Sequence, residues 1–104
     1  MQYKQYQTAS IGISEETVIT VPAGKTFVIL NTLISNLTDV GTVLATVKIN
    51  DVVVLNKRSI LINDSLGRNN ELLKLTLEEN DTLKISASVP AGLSATISGI
   101  LWDN

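Results

Sequence analysis

The sequence predicts an all-β protein: a single two-sheet antiparallel β-sandwich, jelly-roll-like, with about eight or nine strands. Three observations predict it. Polar and apolar residues alternate with period two, as in Leu73, Leu75 and Leu77 against Lys74 and Thr76, and again in Leu83, Ile85, Ala87 and Val89 against Lys84, Ser86 and Ser88. Such alternation marks strands with one face on a core and the other toward water. Turn-forming clusters recur about every 8–12 residues, and no segment carries a helical period. Aromatic residues make up 4% of the chain, too few to fill a wide barrel, and this favours two packed sheets.

The elements follow in order. A polar start leads into Ala9, Ile11 and Ile13, alternating with Ser10, Gly12 and Ser14, which reads as a long first strand or an arm ending in one. Glu15 and Glu16 mark a turn, and residues 17–21 form a short β-branched strand. Pro22, Ala23 and Gly24 close it, with Pro second and Gly fourth in an expected type I turn. Residues 26–35 are apolar on both faces, Phe27, Ile29 and Leu33 against Val28, Leu30 and Ile34, so they predict a central strand or one that meets a partner. After a loop at 36–41, Val43, Ala45, Val47 and Ile49 alternate toward a tight connection at Asn50 and Asp51, and residues 52–55 turn back as a hairpin. Residues 59–62 read as a short strand and 63–70 as the longest polar loop. Residues 71–78 and 82–89 predict a second hairpin, and 94–102 the last strand. The tetrapeptide Val-Pro-Ala-Gly occurs at 21–24 and 89–92, and unmatched flanks favour independent use of one turn chemistry over duplication.

At 104 residues the chain is one domain, residues 1–104, with an N-terminal arm over about residues 1–8. A domain of this size buries roughly 65% of its unfolded surface, enough for one core without staples. There is no cysteine and no histidine. Only 17% of residues are charged and mean hydropathy is +0.26, so the outer faces must be neutral or partly apolar, as in a symmetric assembly. A formal charge of −2 with scattered basic residues argues against nucleic acid or an anionic membrane as partner. Residues 1–7 have no apolar core, which predicts no signal peptide and synthesis in soluble form.

The chemistry-bearing patterns resolve into structural ones. Gly24, Lys25 and Thr26 resemble the end of a phosphate loop, but Ile19 stands where its first glycine belongs and a strand follows where a helix must start. Asn36, Asn63 and Asn80 each begin a glycosylation acceptor triplet, yet each sits at a turn that favours Asn, Asp and Ser for local hydrogen bonding. The acidic residues Glu15, Glu16, Glu78, Glu79 and Asp81 gather at turns, where neighbouring carboxylates point apart and stay solvated, so neither paired-acid catalysis nor a calcium site is favoured. Without histidine no base is positioned for a serine or threonine nucleophile. The reading is no enzyme, no cofactor and no metal. Tyr3 and Tyr6 stand out in a polar segment, either as contacts for a neighbouring subunit or as part of an edge strand. Trp102 reads as a plug capping the core.

The run Val-Pro-Ala-Gly-Lys-Thr-Phe-Val-Ile at 21–29, followed by Ile34, Ser35 and Asn36, resembles the first half of a type of small β-sandwich virion protein of tailed bacteriophages. The run Leu-Glu-Glu-Asn-Asp-Thr-Leu-Lys-Ile-Ser-Ala-Ser at 77–88 resembles its late hairpin, so the likeness spans nearly the whole chain. The resemblance implies a non-catalytic structural protein of the virion, made in the host cytoplasm. Within that class it implies a capsid decoration or cement protein, binding the assembled shell as a homo-oligomer, with a trimer favoured. A neck, collar or tail component is the alternative, and a carbohydrate-binding module for host-surface glycans is the competitor from another class. The expected partners are the major capsid protein or other virion proteins. The candidate contact residues are Tyr3, Tyr6, Asn36, Asp39, Asn63, Asp64 and Arg68, on the arm and on two loops carried by a rigid sandwich.

Overall fold

The computed structural model describes residues 1–39, 41–61, 65–66 and 75–104. Nine strands run through them: β1 (Gln2–Ile11), β2 (Glu16–Thr20), β3 (Lys25–Asn36), β4 (Val43–Ile49), β5 (Val52–Ile60), β6 (Ser65–Leu66), β7 (Thr76–Leu77), β8 (Thr82–Ala87) and β9 (Leu93–Asp103). All pairings are antiparallel. One sheet has the order β1-β9-β3-β6, with β7 also paired to β3, and the other has the order β2-β8-β4-β5. The short strands β6 and β7 both pair with β3, at opposite ends of it. Taken as one interrupted position they give two four-stranded sheets in jelly-roll order, as expected from the sequence.

The core lies between the sheets. Ile11, Phe27, Ile29, Ile34, Leu77, Leu93, Ala95, Ile97 and Leu101 enter it from the first sheet. Ile19, Val43, Ala45, Val47, Ile60, Leu83, Ile85 and Ala87 enter it from the second, and Val21 closes one end. Alternation along β4, β8 and β9 places these side chains inward with little further constraint.

β3 departs from strict alternation. Its register against β9 slips between Ile29 and Asn31, leaving Leu30 as an extra residue. Such a bulge exchanges the faces beyond it. Phe27 and Ile29 therefore point inward before the bulge, and Thr32, Ile34 and Asn36 after it. Leu33, expected to share the face of Phe27, is instead turned out, as is Leu30. The strand is central, lying between β9 and the β6/β7 edge.

The hairpin at Asn50 and Asp51 forms as expected: Ile49 pairs with Val52, and Asn50 takes the left-handed region at φ 56. β5 is longer than expected and absorbs Ser59 and Ile60, which the sequence assigned to a separate strand. The second expected hairpin does not form. β7 pairs with β3 in one sheet while β8 pairs with β2 and β4 in the other, so the turn at 78–81 crosses between sheets. Asn80 makes that turn at φ 66, with Asp81 N–H donating to the Glu78 carbonyl at 3.1 Å. Residues 71–74 of that proposal lie outside the described residues. Ser65 and Leu66, placed in a loop by the sequence, form β6.

The two Val-Pro-Ala-Gly segments both carry the chain from the second sheet to the first, yet fold differently. In the first, Lys25 N–H donates to the Pro22 carbonyl at 3.2 Å and Gly24 takes φ 77 at the third position. That is a type II arrangement starting one residue later than the expected type I turn. In the second, the left-handed residue is Ala91, at φ 51. Identical tetrapeptides in unlike turns agree with independent use.

Candidate interaction surface

Residues 2–11, read from the sequence as an arm or a first strand, form β1, the edge of the first sheet, in register with β9 from Gln2 against Leu101 to Thr8 against Ala95. Residues directly opposed in a sheet share a face. Tyr3 lies opposite Ile100, which lies opposite Val28 on the next strand. These three form a row across the outer face, and Thr76 on β7 continues it. Trp102, opposite Thr26, adds a second exposed aromatic to this face, and Leu30 and Leu33 add two exposed leucines. Trp102 thus corrects the sequence expectation: at an even position of β9 it points away from the core, which Leu101 enters in its stead.

Among the described residues, the outward positions of this sheet carry no ionisable group other than the Tyr3 phenol. They are Tyr3, Gln5 and Gln7 on β1, with Ser, Thr, Ile and Trp on β9 and Thr, Val, Asn, Leu and Ser on β3. The second sheet differs. Lys48 Nζ meets Glu15 Oε1 at 2.5 Å and Lys84 Nζ stands 3.8 Å from Asp51 Oδ1. The hydrogen bond from Lys48 holds the Glu15 carboxyl below its ordinary range, and Glu15 in turn raises the Lys48 ammonium. Among the described residues of the first sheet's strands, the charged side chains Lys4, Lys25 and Asp103 stand at positions of the opposite parity to the neutral face.

Tyr6 faces the other way from Tyr3, as an odd spacing on a strand requires. It lies opposite Ile97 and packs its ring edge-on to Phe27, at 5.2 Å between centroids and 86° between planes. Lys4 Nζ sits 5.6 Å from the Tyr6 ring centroid. Burial pushes the Tyr6 phenol above its ordinary value. Tyr6 is therefore committed to the rim of the core, and of the two tyrosines only Tyr3 is offered outward.

Asn36 is also used internally. Its amide nitrogen donates to the carbonyls of Gly41 and Ile60 at 3.0 and 2.9 Å, and its oxygen accepts from Thr38 N–H at 2.8 Å. The Thr38 hydroxyl lies 2.8 Å from the same oxygen. This buried amide ties the 36–41 loop to the end of β5, so it is a loop anchor and not an exposed contact. Asp39, on the same loop, is exposed. Asn63, Asp64 and Arg68 lie outside the described residues. Sequence reasoning found Tyr3 but missed its neighbours on the neutral face. The signal was available in residues 94–102, where the polar positions hold only Ser and Thr.

A shallow depression of about 300 Å³, lined by Thr38, Gly41, Thr42, Val43, Val89 and Pro90, lies at one end of the sandwich. None of its lining side chains titrates or ligates. Among the described residues no group of three or more His, Cys, Asp or Glu side chains is placed to hold a metal ion. No protein family, no curated protein and no solved structure matches this chain.

Proposed function

We propose that this chain is a non-catalytic structural protein of a tailed-phage virion, a decoration or cement protein that binds the assembled shell as a homo-oligomer. The observation that carries the reading is the neutral outer face of the first sheet, with Tyr3, Ile100, Val28 and Trp102 at one end. A face that leaves two aromatics and two leucines in water has the composition of a surface that is covered in use. The virion assignment draws its support from the sequence resemblance over 21–36 and 77–88, and the jelly roll is a fold that viral shells use among others. Binding to the lattice and not to the free subunit would stabilise the particle by mass action.

The test is co-sedimentation of the purified protein with empty mature shells of the phage that encodes it. Tyr3→Ala is expected to weaken pelleting by at least about tenfold, the loss of an aromatic anchor, with an unchanged melting temperature. Failure of the unaltered protein to pellet with shells, necks or tails rejects the reading. A glycan-binding reading draws on one observation, that Tyr3 and Trp102 are exposed on the same face. Binding to a glycan array that Trp102→Ala abolishes, in a protein that ignores shells, would favour it.

A further inference from the structure

The four edges of the two sheets are not alike. An unpaired strand edge presents free N–H and C=O groups that recruit other strands, and folds blunt such edges with short strands, bulges, prolines or charges. Among the described residues three of the four edges carry such devices. The β6/β7 edge consists of two strands of two residues each. β2 has five residues, a bulge between Thr17 and Ile19, and Glu15 and Glu16 at its start. β5 has two register breaks against β4, a left-handed Lys57 at φ 49, and the adjacent cations Lys57 and Arg58. Over Gln2 to Thr8, β1 is neither short nor bulged and has no proline, and its one charge is Lys4. These residues run in unbroken register with β9, and Lys4 lies beside the Tyr6 ring. The only irregularity of β1 lies beyond Thr8.

From this asymmetry we infer that the β1 edge pairs with the β1 edge of a second copy, antiparallel about a two-fold axis, joining the two first sheets into one continuous sheet. The composition of β1 selects a copy of itself as the occupant. In an isologous contact every residue meets its own surroundings again, so charges on it tend to face like charges. β1 supplies Gln2, Gln5, Gln7 and Thr8, side chains that both donate and accept. A register centred on Gln5 sets Lys4 against Tyr6 of the other copy and keeps the two lysines apart. The joined sheets also double the neutral outer face, bringing two Tyr3 rings onto one surface. The unit is then a dimer in place of the trimer favoured by the resemblance. The inference rests on the sheet edges and stands apart from the virion reading, since it concerns the protein alone in solution.

Light scattering coupled to size exclusion on the full chain tests it, together with amide hydrogen exchange. The expected result is a dimer, with slowed exchange at every amide from Gln2 to Thr8 and not only at those facing β9. The double variant Gln5→Lys/Gln7→Lys, whose altered side chains lie on the exposed outer face, is expected to weaken the dimer by at least about tenfold through opposed like charges. Mixing it with Gln5→Glu/Gln7→Glu is expected to recover a dimer of one copy of each. A monomer at concentrations up to about 100 µM, far above the dissociation constant of an ordinary specific contact, overturns the inference. So does a trimer, or a dimer indifferent to both double variants. Because particle binding is read separately, a monomer that still pellets with shells would sink this inference and leave the proposed function standing.

Discussion

The Phe27 ring fills the space that a side chain at Gly99 would need. A Cβ built on Gly99 would stand 2.9 Å from Phe27 Cζ and 2.0 Å from the Val28 carbonyl oxygen. The missing side chain lets β9 lie close under the β3 bulge, and it seats the ring that Tyr6 meets edge-on. Gly99→Ala is expected to destabilise the fold by about 3 kcal/mol or more, because a backbone oxygen cannot move aside as a side chain can. Denaturant unfolding, followed by Trp102 fluorescence, measures it. An unchanged midpoint would contradict the packing described.

Thr32 is 3% exposed, and among the described residues its hydroxyl has no hydrogen-bond partner. A buried hydroxyl without a partner carries a desolvation penalty that an isosteric methyl does not. Thr32→Val is expected to raise stability by about 1 kcal/mol, read as a higher denaturant midpoint with an unchanged slope.

The two turns of like sequence invite opposite substitutions. Gly24, at φ 77 with open space around its Cα, is expected to lose about 1 kcal/mol on replacement by Ala, a backbone effect free of steric clash. Ala91, at φ 51, is expected to gain about 0.5 kcal/mol on replacement by Gly, net of the added freedom of the unfolded chain. Thermal unfolding of both variants checks the pair, and equal effects of one sign would contradict it.

Two exposed ion pairs contribute to the pH response. Asp103, bonded by Lys25 Nζ at 2.6 Å, is held below its ordinary 3.8, and Glu15, bonded by Lys48, below its ordinary 4.5. A depressed carboxylate contributes stability that is present above its unfolded value and lost as pH falls through its folded value. Lys48 is raised above 10.5 chiefly by Glu15, so its contribution is present below 10.5 and lost as pH climbs through the folded value. The melting temperature should therefore drop below pH 4.5 and again above pH 10.5. The difference from Lys25→Met/Lys48→Met should be small, as exposed pairs are, and should vanish at acid pH. A difference that persists well below pH 3.8 would contradict this origin.

The outline of the fold was legible in the sequence because one-sided strands write their burial as alternation, and β4, β8 and β9 do so plainly. Pairing partners were less legible. The segments around Leu77 and Leu83 are joined by a short turn and alternate like a hairpin, yet the turn passes from sheet to sheet, and alternation is blind to which neighbour a strand chooses. The β3 bulge was hidden for a related reason: with apolar residues at Leu30, Leu33 and Ile34, either parity can bury something. At the candidate surface, Tyr3 was visible as an aromatic among polar residues. Tyr6 looked the same, and only the strand's two-fold period separates their fates. Asn36 read as an exposed loop residue because its partners, Gly41 and Ile60, are carbonyls whose positions follow from the tertiary fold.

The placement of β9 has a consequence for how the chain comes into being. β9 is the last strand of the domain to leave a ribosome, yet it lies between β1 and β3 and pairs with both along most of their length. Until Leu93 and its successors emerge, the first strand synthesised has no neighbour to pair with, while the second sheet already has all four of its strands. Translation thus makes the second sheet available early and leaves the first without one of its interior strands until β9 emerges. During that interval the backbone edge of β3 that β9 will pair with, from Lys25 to Asn36, stays open.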